Sequence, residues 1–370
     1  MNRRGKVTAL ILAVFALVVA VVIVMIALNG TGGGNDAAQN AREPVPEATQ
    51  GPEATQDPEG TRDAGEAPAP VETPVACPEP TVRVANSTQL EDALDAAQPG
   101  DVIGLAPGVY MGNFTASATG TAEQPITLCG DAKSILDGGT TDDGYVLHLE
   151  NSSHWVLQGF TVRNGQKGVM VDQSTNTVIQ GLTVTTTGDE AIHLRKFSTD
   201  NRVIGNTISD TGLRKPKFGE GIYIGTAESN WCDISNCEPD RSDRNEISGN
   251  RISSTTSENV DIKEGTSDGV LRANSFDGSG MVKADSWVDV KGRGWLISEN
   301  TGANSPLDGF QTHEIVDGWG TENVFRNNDA DVNGPGLGYS LKPVRDNVVE
   351  CSNTASDAGE GLSNEPCTSG

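Results

Sequence analysis

One short pattern governs this sequence: two apolar residues flank a variable one, and a polar or small residue follows. It reads "VMVD" at 169–172, "IHLR" at 192–195, "IYIG" at 222–225, "VDIK" at 260–263, "VDVK" at 288–291, "FQTH" at 310–313 and "YSLK" at 339–342, with an earlier copy inside "VLHLE" at 146–150. Starts placed at Val146, Val169, Ile192, Ile222, Val260, Val288, Phe310 and Tyr339 are 23, 23, 30, 38, 28, 22 and 29 residues apart. Strand-like runs recurring at such a period are the mark of a solenoid, in which each repeat is one turn and the longer repeats carry longer loops.

A second apolar run accompanies each copy: "WVLQGFTV", "TVIQGLTV", "RVIGNTIS", "NEISGNRIS", "GVLRANSF", "WLISENTG" and "NVFRNND". Asn206, Asn250, Asn274, Asn300 and Asn327 are expected at one register, bonding to backbone at a bend and to one another. Short β-runs separated by Gly, Asn, Asp and Ser predict an all-β chain, a single-stranded parallel β-helix. "STQLEDALDAAQPGD", from 87, places Leu90, Ala93, Leu94 and Ala97 at helical spacing behind Ser87 as N-cap. This predicts a short N-terminal capping helix that covers the open sheet edge.

The ends of the chain divide it further. Residues 1–6 are basic, and residues 7–28 hold no charge across 22 positions. That is long enough to span a bilayer, which favours a transmembrane anchor with the basic end in the cytoplasm over a cleaved signal. Residues 29–75, rich in Pro, Glu, Ala, Thr and Gly, predict a disordered linker. The β-helix domain then occupies 76–370, outside the cell membrane, or secreted if the first segment is removed. Its six cysteines fit an oxidising compartment. Cys232 with Cys237, Cys351 with Cys367 and, by elimination, Cys77 with Cys129 is the expected pairing, with a structural zinc as the rival.

Stacked turns bring equivalent residues to roughly 4.8 Å from one another, so the repeats predict a surface. One outward column reads His148, Met170, His193, Tyr223, Asp261, Asp289, Gln311, Ser340. The next reads Glu150, Asp172, Arg195, Gly225, Lys263, Lys291, His313, Lys342. A third, two residues ahead of each strand, reads Gly144, Lys167, Glu190, Glu220, Glu258, Ser286, Asp308, Leu337. The net charge of −25 argues against nucleic acid as a partner, yet positive charge gathers in the second column.

"LEDALDAAQPGDVIGLAPGVYMGNF" followed by these repeats resembles the right-handed parallel β-helix proteins of the pectate-lyase-like class. "ENVDIKEGTSDGVLRANSF" is similar to the catalytic turn of the chondroitinase B and alginate lyase family. The resemblance implies a lyase that cleaves an acidic polysaccharide by β-elimination, with Lys263 as base and Glu220 and Glu258 as calcium ligands. Lys291 stands where that family has an arginine; Lys291 or His313 would assist as acid, with Arg293 as a further substitute, beside His193 and Arg195. Tyr223, Asp261, Asp289, Gln311 and Arg293 would contact substrate. A lysine serves as base only if neighbouring positive charge or desolvation lowers its pKa.

Three other readings use the same face. Asp261 and Asp289 on adjacent turns suit a retaining glycoside hydrolase, an epimerase would share the proton abstraction, and a non-catalytic carbohydrate-binding or envelope-structural β-helix would need no base. The loops "LRKPKFGEG" and "SNWCDISNCEPDRSDRN" are placed to wall a groove, and Trp231, Trp287 and Trp319 are the aromatics nearest to it.

Overall fold

Residues 76–369 are described by a computed structural model; the expected anchor at 7–28 and linker at 29–75 lie outside them. Among the described residues, no helix is long and apolar enough to cross a membrane.

The repeat folds as its alternation dictates. Three parallel sheets of 11, 10 and 10 strands run the length of the solenoid, and each strand pairs with its equivalents one turn before and one turn after. The chain visits the sheets in fixed order, as in Ile126–Cys129, Ser134–Asp137 and Tyr145–Glu150, before starting the next turn at Trp155–Gln158. Crossovers between parallel strands take the right-handed path, so the molecule is a right-handed parallel β-helix.

Apolar residues at period two fill its interior. Val169 and Val171, Ile192 and Leu194, Ile222 and Ile224, Val260 and Ile262, and Val288 and Val290 are all fully buried. Each such side chain contributes roughly 1.5–3 kcal/mol from area removed from water. Trp287, which the sequence suggested as a groove aromatic, belongs to this core: it packs edge-on against Phe310, and its Nε1 donates to the Ala303 carbonyl at 2.9 Å.

The asparagines form a buried ladder at one bend. Each Oδ1 accepts from the backbone N–H and the Nδ2 of the previous turn's asparagine, and each Nδ2 also donates to a carbonyl inside the turn. For Asn274, the acceptor bonds are from Asn250 at 2.9 Å and the donor bonds run to Ile247 and Asn300. The rung after Asn300 is Asn328, not Asn327. Asn327 occupies the left-handed position before it (φ 53°), which Gly205 and Gly249 fill in earlier turns. Two adjacent asparagines made the sequence ambiguous, and only the one aimed inward joins the ladder.

Two other boundaries shift by one residue. Val169 pairs with Leu147, so the first copy starts there and not at Val146; likewise Lys167 pairs with Tyr145, which replaces Gly144 in the third column. The capping helix spans Ser87–Ala96 and buries Leu90, Ala93 and Leu94 as expected, but its N-cap is Asn86, whose side chain accepts from the Gln89 N–H. The disulfides are Cys77–Cys129, Cys232–Cys237 and Cys351–Cys367, with no cysteine left over for zinc.

Candidate active site

The register of the third sheet visited in each turn reproduces the two outward columns. Met170 pairs with His148 and His193, His193 with Tyr223, Tyr223 with Asp261, Asp261 with Asp289, and Asp289 with Gln311. These side chains are not a solvated surface. His193, Glu220, Asp261, Asp289, Lys291 and Gln311 are all buried. The charges therefore depend on one another.

Asp261 is the hub. One carboxylate oxygen lies 2.5 Å from Lys263 Nζ and the other 2.8 Å from Lys291 Nζ, while Lys291 also meets Asp289 at 2.6 Å. His313 closes the chain with Nδ1 at 2.8 Å from Asp289. The answer to why "VDIK" recurs as "VDVK" lies here: the two copies build one interlocked ion-pair network on adjacent turns. The carboxylates offset the burial cost and hold both lysine ammonium groups well above their ordinary pKa. Lys263 thus lacks the lowered pKa that a lysine base needs, because Asp261 touches it more closely than any cation does.

A second group of side chains sits on the preceding turns. Lys167 pairs with Glu190 at 2.7 Å, and burial is outweighed by His193 and Lys167 so that the Glu190 carboxyl falls to about 2. His193 Nε2 donates to the Gly225 carbonyl at 2.9 Å, a contact that fixes the proton on that nitrogen because a carbonyl only accepts. Burial pushes the His193 pKa down against the opposing pull of Glu190, so the ring is neutral; its Nδ1 is buried, 3.5 Å from a Glu190 oxygen. The His193 ring meets Tyr223 in an edge-type contact with centroids 4.4 Å apart and planes at 60°, and Lys263 Nζ stands 4.9 Å from the Tyr223 ring. Burial and the acids Asp261, Glu220 and Glu190 push the Tyr223 phenol well above its usual range, keeping it protonated. Arg195 grips Asp172 at 2.8 Å, where His148 and Lys196 also converge.

A cavity of about 530 Å³ opens over this group. Lys167, Glu190, His193, Arg195, Tyr223 and Lys263 are among its walls. Asp289, Lys291 and His313 continue the column beyond it. Arg293 does not join: its guanidinium points to Glu322 on the outer surface. Gln311 donates to Asp308. Of the three tryptophans, Trp231 is buried under its loop, with Nε1 donating to the Thr226 carbonyl, and only Trp319 is partly exposed, beside Arg241.

Glu220, Glu258 and Asp261 each bring a carboxylate oxygen within 4.8 Å of the others. The set is a poor match for calcium, which takes six to eight oxygens. Both Asp261 oxygens are already held by ammonium groups, and a dication would stand beside two lysines. Burial and the neighbouring acids Glu190, Asp261 and Glu258 raise Glu220 well above the usual carboxylate range.

Sequence reasoning missed the supports of this site. Asp240 is fully buried and accepts from the backbone N–H of Lys196 and Phe197 and the hydroxyls of Thr226 and Ser242, pinning the long loop to the sheet. Arg214 reaches back to Asp189 from the loop that precedes Glu220. Neither belongs to the repeating pattern, so the column alignment carried no signal for them.

Comparison with known proteins agrees with the fold and narrows it. No curated protein sequence matches the chain. Residues 126–236 match a family described as periplasmic copper-binding protein (NosD). A bacteriophage CBA120 tailspike active domain shares the fold at 9% identity and TM-score 0.51, over 74% of this chain and 40% of that one. A pectate lyase aligns at 16% identity and TM-score 0.49, over 75% of each chain. An alginate lyase from Paenibacillus sp. str. FPU-7 is far more similar, at 33% identity and TM-score 0.72, over 78% of this chain and 99% of that one. With the likeness running through nearly the whole of that relative, the protein belongs to the right-handed parallel β-helix family of the Paenibacillus alginate lyase.

Proposed function

We propose that the protein is a carbohydrate-active enzyme, a lyase that cleaves a uronate polysaccharide by β-elimination at the cavity over His193, Tyr223 and Lys263. One observation carries the reading: within a single pocket these three groups stand side by side in the protonation states the reaction requires near neutral pH. Elimination breaks the C5–H bond, forms the C4–C5 double bond and expels the C4 oxygen. It needs a base, a positive charge against the uronate carboxylate and a proton for the leaving oxygen.

His193 takes the C5 proton on Nδ1, which lies buried 3.5 Å from a Glu190 oxygen, so the ring must turn toward the cavity when substrate binds. The Lys263 ammonium, fixed by Asp261, faces the carboxylate and stabilises the charge that develops as the proton leaves. The Tyr223 phenol, kept protonated by its surroundings, donates its proton to the leaving C4 oxygen. Lys291 sustains this arrangement from the next turn by sharing Asp261. No step runs through calcium. An epimerase would begin with the same abstraction but leave the C4 oxygen bond intact. The paired carboxylates of a retaining hydrolase are not supported by Asp261 and Asp289, which are both bound to Lys291.

The test is the mass of the products from the full chain acting on alginate and other polyuronates. Elimination gives an unsaturated end lighter by one water than the hydrolytic product. Saturated products would replace the lyase by a hydrolase, and tight binding with no bond broken would leave a binding module.

A further inference from the structure

The cations lining the cavity are almost all committed. Lys167 is held by Glu190, Arg195 by Asp172, Arg214 by Asp189 and Lys263 by Asp261. Lys217 is different: among the described residues it has no carboxylate within ion-pair distance, and its Nζ lies 4.5 Å from the centroid of the exposed Phe218 ring. Lys215 approaches the same ring at 5.7 Å. Lys217 and Phe218 both line the cavity. Among the described residues Lys215 has no ion-pair carboxylate either, so two unpaired cations flank an exposed aromatic ring that lines the cavity, in a chain of net charge −25.

The loop that carries them is held rigidly. Arg214 N–H and Lys215 N–H donate to the Gly188 carbonyl at 2.9 and 3.2 Å. Thr211 Oγ1 donates to the Gly219 carbonyl at 2.6 Å, and Thr256 Oγ1 to the Pro216 carbonyl at 2.9 Å. Gly212 and Gly219 meet at the neck so closely that a Cβ on Gly212 would lie 2.8 Å from the Gly219 Cα. Anchoring before ligand arrives removes ordering entropy from binding.

We propose that loop 212–219 is a substrate subsite: Lys217, aided by Lys215, pairs with the carboxylate of a uronate unit next to the one cleaved, and Phe218 packs on its sugar ring. This rests on the lyase reading for the cleaved unit but is read from different residues. A protein so acidic would repel a polyanion along most of its surface, and this rim supplies unpaired positive charge where the polymer enters. Lysine suits a carboxylate here as a point charge on a flexible stem, and the ring supplies a flat apolar face.

The experiment compares the full chain with Lys217→Glu, Lys217→Arg and Phe218→Ala, using a long polyuronate, the shortest uronate oligomer cleaved, and a neutral glucan. Kinetics are paired with calorimetric binding of a uronate oligomer, and thermal unfolding checks that each variant folds. K217E should raise KM and Kd on the long polymer about tenfold, with kcat changed less than twofold, while F218A raises both severalfold and K217R restores wild-type values. On the shortest oligomer the variants should converge. KM and Kd within twofold of wild type for folded K217E, or equal losses on every uronate length, overturn the subsite. If wild type makes no unsaturated product yet binds the oligomer in a Lys217-dependent way, the lyase reading fails and the subsite stands.

Discussion

Replacing Asp261 by Asn tests whether the lysine pair is held as the structure describes. The substitution keeps the side chain's size but removes, among the described residues, the only carboxylate touching Lys263 and one of two touching Lys291, at 2.5 and 2.8 Å. All three side chains are largely buried, so an ammonium left without its partner retains the desolvation cost without the compensation. Breaking a buried pair from one side costs about 3–5 kcal/mol. The retained Lys291–Asp289 contact limits the loss to one unpartnered cation. At roughly 2 °C of Tm per kcal/mol for a domain of this size, D261N should melt about 6–10 °C lower. Both lysines have folded pKa values raised above the unfolded value of about 10.4. Their contribution is therefore fully present below that pH and is lost as pH rises through the folded values, so the gap to wild type should stay level from neutral pH to about pH 9 and narrow only beyond it. Calorimetric melts across that range are the assay. Adding Lys263→Met should recover part of the loss, because the uncompensated charge goes with it. A D261N melt within about 2 °C of wild type, or a K263M addition that destabilises further, would refute the reasoning.

Four further outcomes follow from the same geometry. His193→Gln and Tyr223→Phe should each lower kcat on a polyuronate by about 10²–10⁴-fold, the range for a lost proton-transfer group, with Tm unchanged for Y223F. Chelator in excess should leave both activity and Tm of the full chain unchanged; loss of either, restored by calcium, would make Glu220, Glu258 and Asp261 a metal site after all. Asn274→Ala strands the Asn250 amide groups and the Ile247 carbonyl inside the coil, and at about 1–3 kcal/mol per unsatisfied group should cost at least about 3 kcal/mol by denaturant unfolding. His313, raised by the Asp289 carboxylate, contributes stability below pH 6.5 that fades as pH rises through its folded value; His313→Gln should flatten that slope.

The columns were legible because a parallel coil converts sequence period into spatial adjacency. Once "VMVD", "IHLR", "IYIG", "VDIK" and "VDVK" are aligned, the pairings from His148 to Ser340 follow with no knowledge of the loops. The errors came where two neighbouring residues fit one pattern, as with Asn327 and Asn328, or where a capping residue has two plausible candidates, as with Asn86 and Ser87. The electrostatics were harder to read. Alignment put Asp261 beside Lys263 and Lys291, but whether the lysines would be lowered by one another or raised by the aspartate depended on distances that only side-chain packing sets. The loops were the least legible part. Asp240 and Arg214 act through contacts made once each, at no fixed period, and Trp287 looked like a groove aromatic because its strand position gives no sign that the facing glycines Gly302 and Gly309 leave room for it inside.

The central claim is that the pocket over His193, Tyr223 and Lys263 breaks a uronate glycoside by elimination. The most direct measurement follows ultraviolet absorbance of the unsaturated uronate end while the full chain acts on alginate and a panel of other polyuronates, beside Lys263→Ala and H193Q. The account predicts absorbance that grows with wild type on at least one polymer and is lost in both variants while their folds persist. No absorbance on any polymer, or undiminished absorbance from H193Q, would contradict it.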